Sequence, residues 1–298
     1  MIKKVRIAVI PVAGLGTRML PATKAIPKEL LPVFDKPIIE HVVKEALSGG
    51  IEEIIFVTRS GKEAIENHFD ANYELESRLE KKGKEKILGT IKDIIPKGIK
   101  VTSIRQNDAL GLGHAVLCAK HLIKDEPFVV LLPDVLVLDK IQHELNCSFK
   151  KLINSWNELG VGQIMVEKID EKDVDKYGIV DINGANLNLF SSTKIKRLVE
   201  KPSIDEAPSN LAVLGRYVLP YEILEILEST SPGVGGEIQL TDALDKILIN
   251  GNLNAFLTDA STFDCGNKEG FIGANMAVGM RDEKTKLYLK NLFSQNNW

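Results

Sequence analysis

Along the first half of the chain, short apolar runs rich in β-branched residues alternate with segments whose apolar positions recur every three to four residues. The run Val5–Ile10 predicts a strand buried on both faces of a parallel sheet. Asp35, Lys36 and Pro37 then open a helix, since proline is tolerated in a first turn. Ile38, Ile39, Val42, Val43, Ala46 and Leu47 repeat with helical spacing until Gly49-Gly50 stops it. Ile51–Val57 returns to strand character and Lys62–Phe69 to helix. In Tyr73–Lys82, Leu75 and Leu79 lie four apart and Glu74 faces Arg78, the pattern of a solvated helix face. Val101–Arg105 predicts a strand, Gly111-Leu112-Gly113 a turn and His114–His121 a helix. Phe128–Leu132 predicts a strand that runs straight into Pro133-Asp134.

This β-α-β-α-β rhythm predicts an α/β protein with a Rossmann-like, mixed but mostly parallel central sheet and helices on both faces. Such sheets bind ligands outside the carboxyl ends of their strands. Arg18, Gln106 and Asp134 all follow predicted strand ends, so they are expected to face one crevice. The second half is less regular and predicts a smaller β/α portion. It gives helices at Asn146–Leu159 and Glu237–Ile249, and strands at Gln163–Val166, Tyr177–Asp181, Lys196–Glu200, Leu211–Leu219 and Ala255–Thr258. A turn is expected at Phe263–Gly266. The tail to Trp298 reads as mostly helical, and its apolar stripe Leu289, Leu292 and Phe293 suits either a subunit interface or an intramolecular cap. With no internal repeat or Pro/Ser-rich linker, the portions 1–140, 141–265 and 266–298 are expected to form one continuous domain.

Composition narrows the class. The 298 residues carry 38 Lys+Arg against 41 Asp+Glu, a formal net charge of −3, which argues against a non-specific nucleic-acid binder but leaves room for a local basic site. Hydrophobic content of 44% with 27% charged residues is ordinary for a globular chain. Cys118, Cys147 and Cys265 form no CxxC pair, so a disulfide framework, zinc and thiol-redox chemistry are not expected and a reducing cytoplasm is. Lys3, Lys4 and Arg6 before Ile7–Ile10 mimic a signal peptide, but Pro11 and the glycines after it end the run. No window approaches the ~20 apolar residues of a membrane span.

The first candidate chemistry lies directly after the first strand, in Ala13-Gly14-Leu15-Gly16-Thr17-Arg18. Glycines there let backbone N–H groups approach a phosphate or a base edge, and Arg18 supplies a cation. A plain strand-to-helix turn is the competing reading. Met19 stands where a dinucleotide fingerprint has its third glycine, and no Gly-Lys-Ser/Thr follows for a P-loop. The loop Pro21–Glu29 is stiffened by two prolines and adds Lys24 and Lys28; it reads as phosphate-binding or merely solubilising. Asp134, ending an apolar strand, is well placed for a hard cation such as Mg²⁺, with Asp264 as a second carboxylate. Either aspartate alone also fits an ordinary turn. Glu200-Lys201-Pro202 could meet sugar hydroxyls and a phosphate, or be an exposed ion pair. His41, His68, His114, His121 and His143 show no metal-ligand spacing, and no GxSxG or HExxH occurs.

Taken together, Ala13–Arg18 and Pro27-Lys28-Glu29 resemble the opening signature of the sugar-1-phosphate nucleotidyltransferases. The longer string Gly16–Glu29 is similar to the bacterial branch that couples UTP to glucose 1-phosphate. Similarity continues through Glu66–Asp70, Gly111–Val116, Leu132–Asp134, Val199–Pro202, Gly215–Tyr217, Glu237–Ala243 and Asp264–Lys268. The resemblance implies an enzyme making UDP-glucose and pyrophosphate, with 1–140 as nucleotide-binding and 141–265 as sugar-phosphate-binding portion. It implies that Ala13, Gly14, Gly16, Thr17, Glu29, Gln106 and Gly111 hold the nucleotide, and that Arg18 and Lys28 hold its triphosphate. Asp134 and Asp264 would carry Mg²⁺, Tyr177, Gly178 and Glu200 the sugar, and Lys201 its phosphate. A homodimer or homotetramer without nucleic-acid or membrane partners is expected. Gly236 departs from the family pattern, where an acidic residue is common. A dTTP-dependent relative, one using another sugar 1-phosphate, and a non-catalytic regulatory paralogue are the alternatives.

Overall fold

A ten-stranded mixed sheet forms the centre of the computed structural model, which describes residues 2–140, 147–249 and 251–296. Asn146 of the predicted helix, His143 and Trp298 lie outside the described residues. Along the sheet's main path the strands follow the order Ser192–Lys194, Leu253–Leu257, Gly162–Lys168, Leu211–Leu219, Phe128–Leu131, Ile7–Pro11, Glu53–Thr58 and Lys100–Arg105. Leu211–Leu219 runs against both neighbours and Ser192–Lys194 against its own, while the other strands on this path point the same way. An arm made of Gly178–Asp181 and Arg197–Glu200, paired antiparallel, joins the sheet where Ile179 meets Ala212.

The first strand shows why its apolar run is continuous. Ile7 and Val9 pack with Ala115, Val116 and Leu244 on one face, whereas Ala8 and Ile10 pack with Val42, Val43 and Phe149 on the other. Alternate side chains therefore enter two helical layers, and each large one buried stabilises the fold by roughly 1.5–3 kcal/mol. The helix after it spans Ile38–Ser48, one residue beyond Pro37, because Lys36-Pro37 pair with Pro32-Val33 instead. It ends at Gly49 through close packing: a Cβ there would stand 2.6 Å from Phe149 Cε1. The charged helix is Tyr73–Lys81, with Asn72 Oδ1 accepting from the Leu75 N–H at 3.0 Å and Arg78 paired to Glu74 on its exposed face.

Several predicted boundaries move, for tertiary reasons. Gly111-Leu112-Gly113 is the first turn of a helix, Gly111–Cys118, and the segment beyond it reforms as a separate turn, Lys120–Ile123. The helix predicted from Glu237 starts at Leu240, because Glu237–Gln239 stays extended across those glycines. There Ile238 N–H donates to Leu110 O at 2.7 Å and Gly113 N–H to Ile238 O at 2.8 Å. Phe263 and Asp264 are not turn residues; they end the strand Ser261–Asp264, which pairs antiparallel with Val135–Leu138. That second strand, the edge strand Ser192–Lys194, and the helices Glu85–Lys92 and Glu222–Glu228 were not predicted. Among the described residues no helix is long and apolar enough to cross a membrane.

Candidate active site

Two crevices open at the carboxyl ends of the central strands, and they adjoin. One, about 430 Å³, is lined by Ala13, Gly14, Gly16, Thr17, Lys28, Glu29, Gln106 and Gly111, together with Arg59 and Glu237. The other, about 310 Å³, is lined by Arg18, Tyr177, Gly178, Glu200, Lys201, Thr262 and Asp264. Asp134 lines both, as do Leu112 and Leu132. Apart from Lys24, which lines a separate hollow with Thr23, Arg59 and Lys62, the site residues expected from sequence fall on two adjoining hollows, with Asp134 at their shared lip.

The glycine loop is built around Lys28. Gly16 adopts φ +69, a left-handed conformation that disfavours a side chain, and a Cβ there would also stand 3.2 Å from Lys28 Cβ. Thr23 Oγ1 donates to Gly16 O at 2.7 Å, tying the stiff Pro21–Glu29 loop to the glycines. The Lys28 stem passes Gly14, so that its ammonium reaches Asp134 Oδ2 at 2.5 Å. Arg18 bridges the two aspartates, with Nη1 at 2.9 Å from Asp264 Oδ2 and Nη2 at 3.9 Å from Asp134 Oδ2. The pairing of Asp264 with Val135 brings these carboxylates together, and Cys265 N–H donates to Asp134 O at 2.8 Å. Behind them, burial first and then the two carboxylates push the Cys265 thiol up to about 12, which keeps it protonated and inert.

The carboxylates converge on space that a glycine leaves open. A Cβ on Gly266 would lie 2.7 Å from Arg18 Nη2, 2.8 Å from Asp134 Oδ2 and 2.9 Å from Asp264 Oδ1. Two carboxylate oxygens facing one small gap, beside cations that can turn toward phosphates, is a donor set that fits Mg²⁺.

In the second crevice, the arm sets Gly178 directly opposite Glu200, and a Cβ on Gly178 would crowd Glu200 Oε2 at 3.3 Å. Lys201 follows in a left-handed conformation, φ +46, held by its N–H to Tyr177 O at 3.0 Å. A lysine in that region stores roughly 1–3 kcal/mol of backbone strain, and such strain gathers at ligand clamps. Burial raises the Tyr177 hydroxyl, and the charges of Glu167 and Asp264 raise it further.

In the first crevice, Glu29 is fully buried and Lys62 Nζ donates to its Oε2 at 2.7 Å, while its Oε1 has no hydrogen-bond partner among the described residues. Burial raises the Glu29 carboxyl, against the pull of Lys62. Lys62 was not singled out from sequence, where it looks like an ordinary helix-start lysine. Arg216 lies in the family-like string Gly215–Tyr217, and it is the largest fully buried side chain among the described residues. Its guanidinium binds Glu45 through Nε at 2.9 Å and Nη2 at 2.7 Å, and donates to Val135 O at 2.7 Å and Leu132 O at 3.2 Å. Those carbonyls flank Asp134, so Arg216 fixes the turn that carries it. The sequence signal was a single arginine inside the apolar strand Leu211–Leu219.

The chain is similar to known proteins along nearly its whole length. The chain is 50% identical over 289 residues to a UTP–glucose-1-phosphate uridylyltransferase of Haemophilus influenzae, covering 96% of this chain and 98% of that one. It is also similar to a UTP-bound UGPase of Acinetobacter baumannii (TM-score 0.90, 46% identity, 98% of this chain and 99% of that one). A UDP-glucose pyrophosphorylase complexed with UDP-glucose superposes with a TM-score of 0.82 at 37% identity, covering 93% of this chain and 100% of the other. Since the nucleotidyl transferase family model matches residues 7–281, a span that takes in both crevices and the aspartates between them, the chain belongs to that family.

Proposed function

We propose that this chain transfers a uridylyl group from UTP to glucose 1-phosphate, giving UDP-glucose and pyrophosphate. One observation carries the reading: Asp134 is the common lip of two crevices, one walled by a glycine loop and the other by a glutamate and a lysine. A nucleoside triphosphate in the first and a sugar phosphate in the second would meet at that lip. The proteins named above, bound to UTP and to UDP-glucose, support it.

The chemistry follows from charge. Phosphate monoesters have a second pKa near ~6, so an oxygen of glucose 1-phosphate is already an anionic nucleophile at neutral pH and needs no general base. A new bond forms from that oxygen to the α-phosphorus of UTP. The bond from the α-phosphorus to the bridging oxygen breaks, and its electron pair leaves with pyrophosphate. What the protein must supply is in-line placement and relief of repulsion between two anions. Lys201 receives the sugar phosphate beside Glu200, which accepts from sugar hydroxyls. Arg18 and Lys28 exchange their carboxylate partners for phosphate oxygens. Asp134 and Asp264 would hold Mg²⁺, which supplies further charge neutralisation when bound.

A coupled pyrophosphate-release assay across nucleotides and sugar phosphates tests this. The expected result is fastest turnover with UTP and glucose 1-phosphate. Faster turnover with dTTP and another sugar phosphate would move the chain to a different branch, and no release with any pair would revive the regulatory paralogue.

A further inference from the structure

Thr262 stands two residues before Asp264 on the strand Ser261–Asp264, and alternate residues of a strand share a face. Its side chain therefore projects to the side on which Asp264 meets Arg18. There Thr262 lines the second crevice with Tyr177, Gly178 and Glu200. Glu167 reaches it from behind. That carboxylate comes from the end of the strand Gly162–Lys168 and lines a separate hollow with Lys140 and Lys168, not the crevice itself. Thr262 Oγ1 donates to Glu167 Oε1. Burial raises the Glu167 carboxyl, while the Thr262 hydroxyl and the charge of Lys140 pull it back toward the ionised form.

A hydroxyl has one hydrogen and two lone pairs, whereas an ionised carboxylate can only accept. The Thr262 hydrogen is thus committed to Glu167, and what Thr262 offers the crevice is an acceptor in a fixed direction. A phosphate oxygen is itself an acceptor and makes a poor partner for it. The hydroxyl of a neutral sugar can donate and matches it. Lys201 shows the opposite preference, since an ammonium only donates and suits the phosphate.

We propose that Thr262 is a sugar-recognition residue that accepts a hydrogen bond from one hydroxyl of the hexose, and that Glu167 is the positioning residue that fixes it. The inference rests on the uridylyl-transfer reading above and deepens it by adding a further acceptor for the sugar beside Glu200. One hydrogen bond of ordinary strength changes affinity by about fivefold.

Binding to the full chain tests this without turnover. Calorimetry gives Kd for UDP, for UDP-glucose and for its monodeoxy forms, each lacking one hydroxyl of the glucose. T262V is expected to weaken UDP-glucose about fivefold and leave UDP within about 1.5-fold. One monodeoxy form should bind T262V and the unaltered chain equally, because it has already lost the hydroxyl concerned. T262S keeps the acceptor and should stay within about twofold of the unaltered chain. E167L alone should weaken UDP-glucose, by about threefold, yet add nothing on top of T262V, since Glu167 acts only through Thr262. An unchanged Kd for UDP-glucose in T262V, an equal loss for UDP, or an equal loss for every monodeoxy form overturns the proposal. If T262V alone does not fold because Glu167 is left unpaired, the double variant with E167L removes both partners and answers the same question. An unaltered chain that binds UDP-glucose no more tightly than UDP would instead be the failure of the uridylyl-transfer reading, visible before any variant is made, and would take this inference with it.

Discussion

Glu45→Gln tests whether the buried arginine under the Asp134 turn works as described. Arg216 and Glu45 are 0% and 4% exposed, and both carboxylate oxygens are engaged by the guanidinium. Glutamine keeps the shape but removes the charge, and its NH₂ group opposes a guanidinium N–H. Removing one partner of such a buried pair costs about 3–5 kcal/mol, because the remaining charge has nowhere to go. The shift in the urea midpoint at constant slope, followed by circular dichroism, reads that loss. The double variant Glu45→Leu with Arg216→Met then separates stability from positioning. Replacing a whole buried pair by apolar side chains is often neutral or stabilising, so most of the lost stability should return. Turnover should not return, because Leu132 O and Val135 O lose the donors that hold the turn on either side of Asp134. A cost under about 1 kcal/mol for Glu45→Gln, or a double variant with full turnover, would refute the argument.

Four further outcomes are expected. Asp134→Asn should leave the far-ultraviolet spectrum unchanged and lower Mg²⁺-dependent UDP-glucose formation by about 10²-fold or more; near-normal turnover would remove Asp134 from the metal site. Lys201→Ala should raise the KM for glucose 1-phosphate by about tenfold while leaving the Kd for UTP within about twofold, and equal effects on both would count against its assignment. Gly266→Ala should cost turnover with little loss of stability, since the added methyl occupies the gap between Arg18, Asp134 and Asp264; a fully active, stable variant would show that gap to be unused. Burial alone would raise Glu40, but hydrogen bonds from His68 and Lys44 outweigh it and bring its carboxyl to about 2. A carboxyl depressed on folding lends stability that is complete above its ordinary value of ~4.5 and is lost as pH falls toward 2. Acid unfolding profiles of Glu40→Gln should therefore be flatter across that window than those of the unaltered chain.

Much of the architecture was legible because burial on two faces leaves an unmistakable pattern. Ile7–Pro11 has helices above and below, so every position is apolar, and Ile38–Ser48 shows a single apolar stripe because only one face is covered. The connected site was legible for a different reason. Glycines and cations placed just past strand ends have little to do in packing, and topology gathers strand ends. What stayed hidden depends on partners distant in the chain. Val135–Leu138 and Ser261–Asp264 become strands through one another, and neither carries a pattern strong enough alone. The Glu237–Gln239 segment gives up helix for hydrogen bonds to Leu110 and Gly113, which no local propensity reports. Lys62 reads as an ordinary helix-start lysine and Arg216 as one arginine in an apolar strand, because their partners, Glu29 and Glu45, lie far away in the chain.

The pairing at the lip also explains how such a cluster can exist before any ligand arrives. Two carboxylates aimed at one gap repel each other; at 4 Å and a surface-like effective dielectric the interaction is about 4 kcal/mol. Lys28 on Asp134 and Arg18 on Asp264 cancel that repulsion, so the preformed site is near neutral and its geometry costs little to keep. On the proposed reading, a triphosphate would offer those cations stronger, multiply charged partners, and the carboxylates they leave would be freed for a metal ion. The same four side chains would then serve as structural ion pairs at rest and as separated cationic and anionic ligands in use. That exchange needs Arg18 to be mobile and Lys28 to be guided, which matches an arginine 60% exposed and a lysine 15% exposed along the glycine loop.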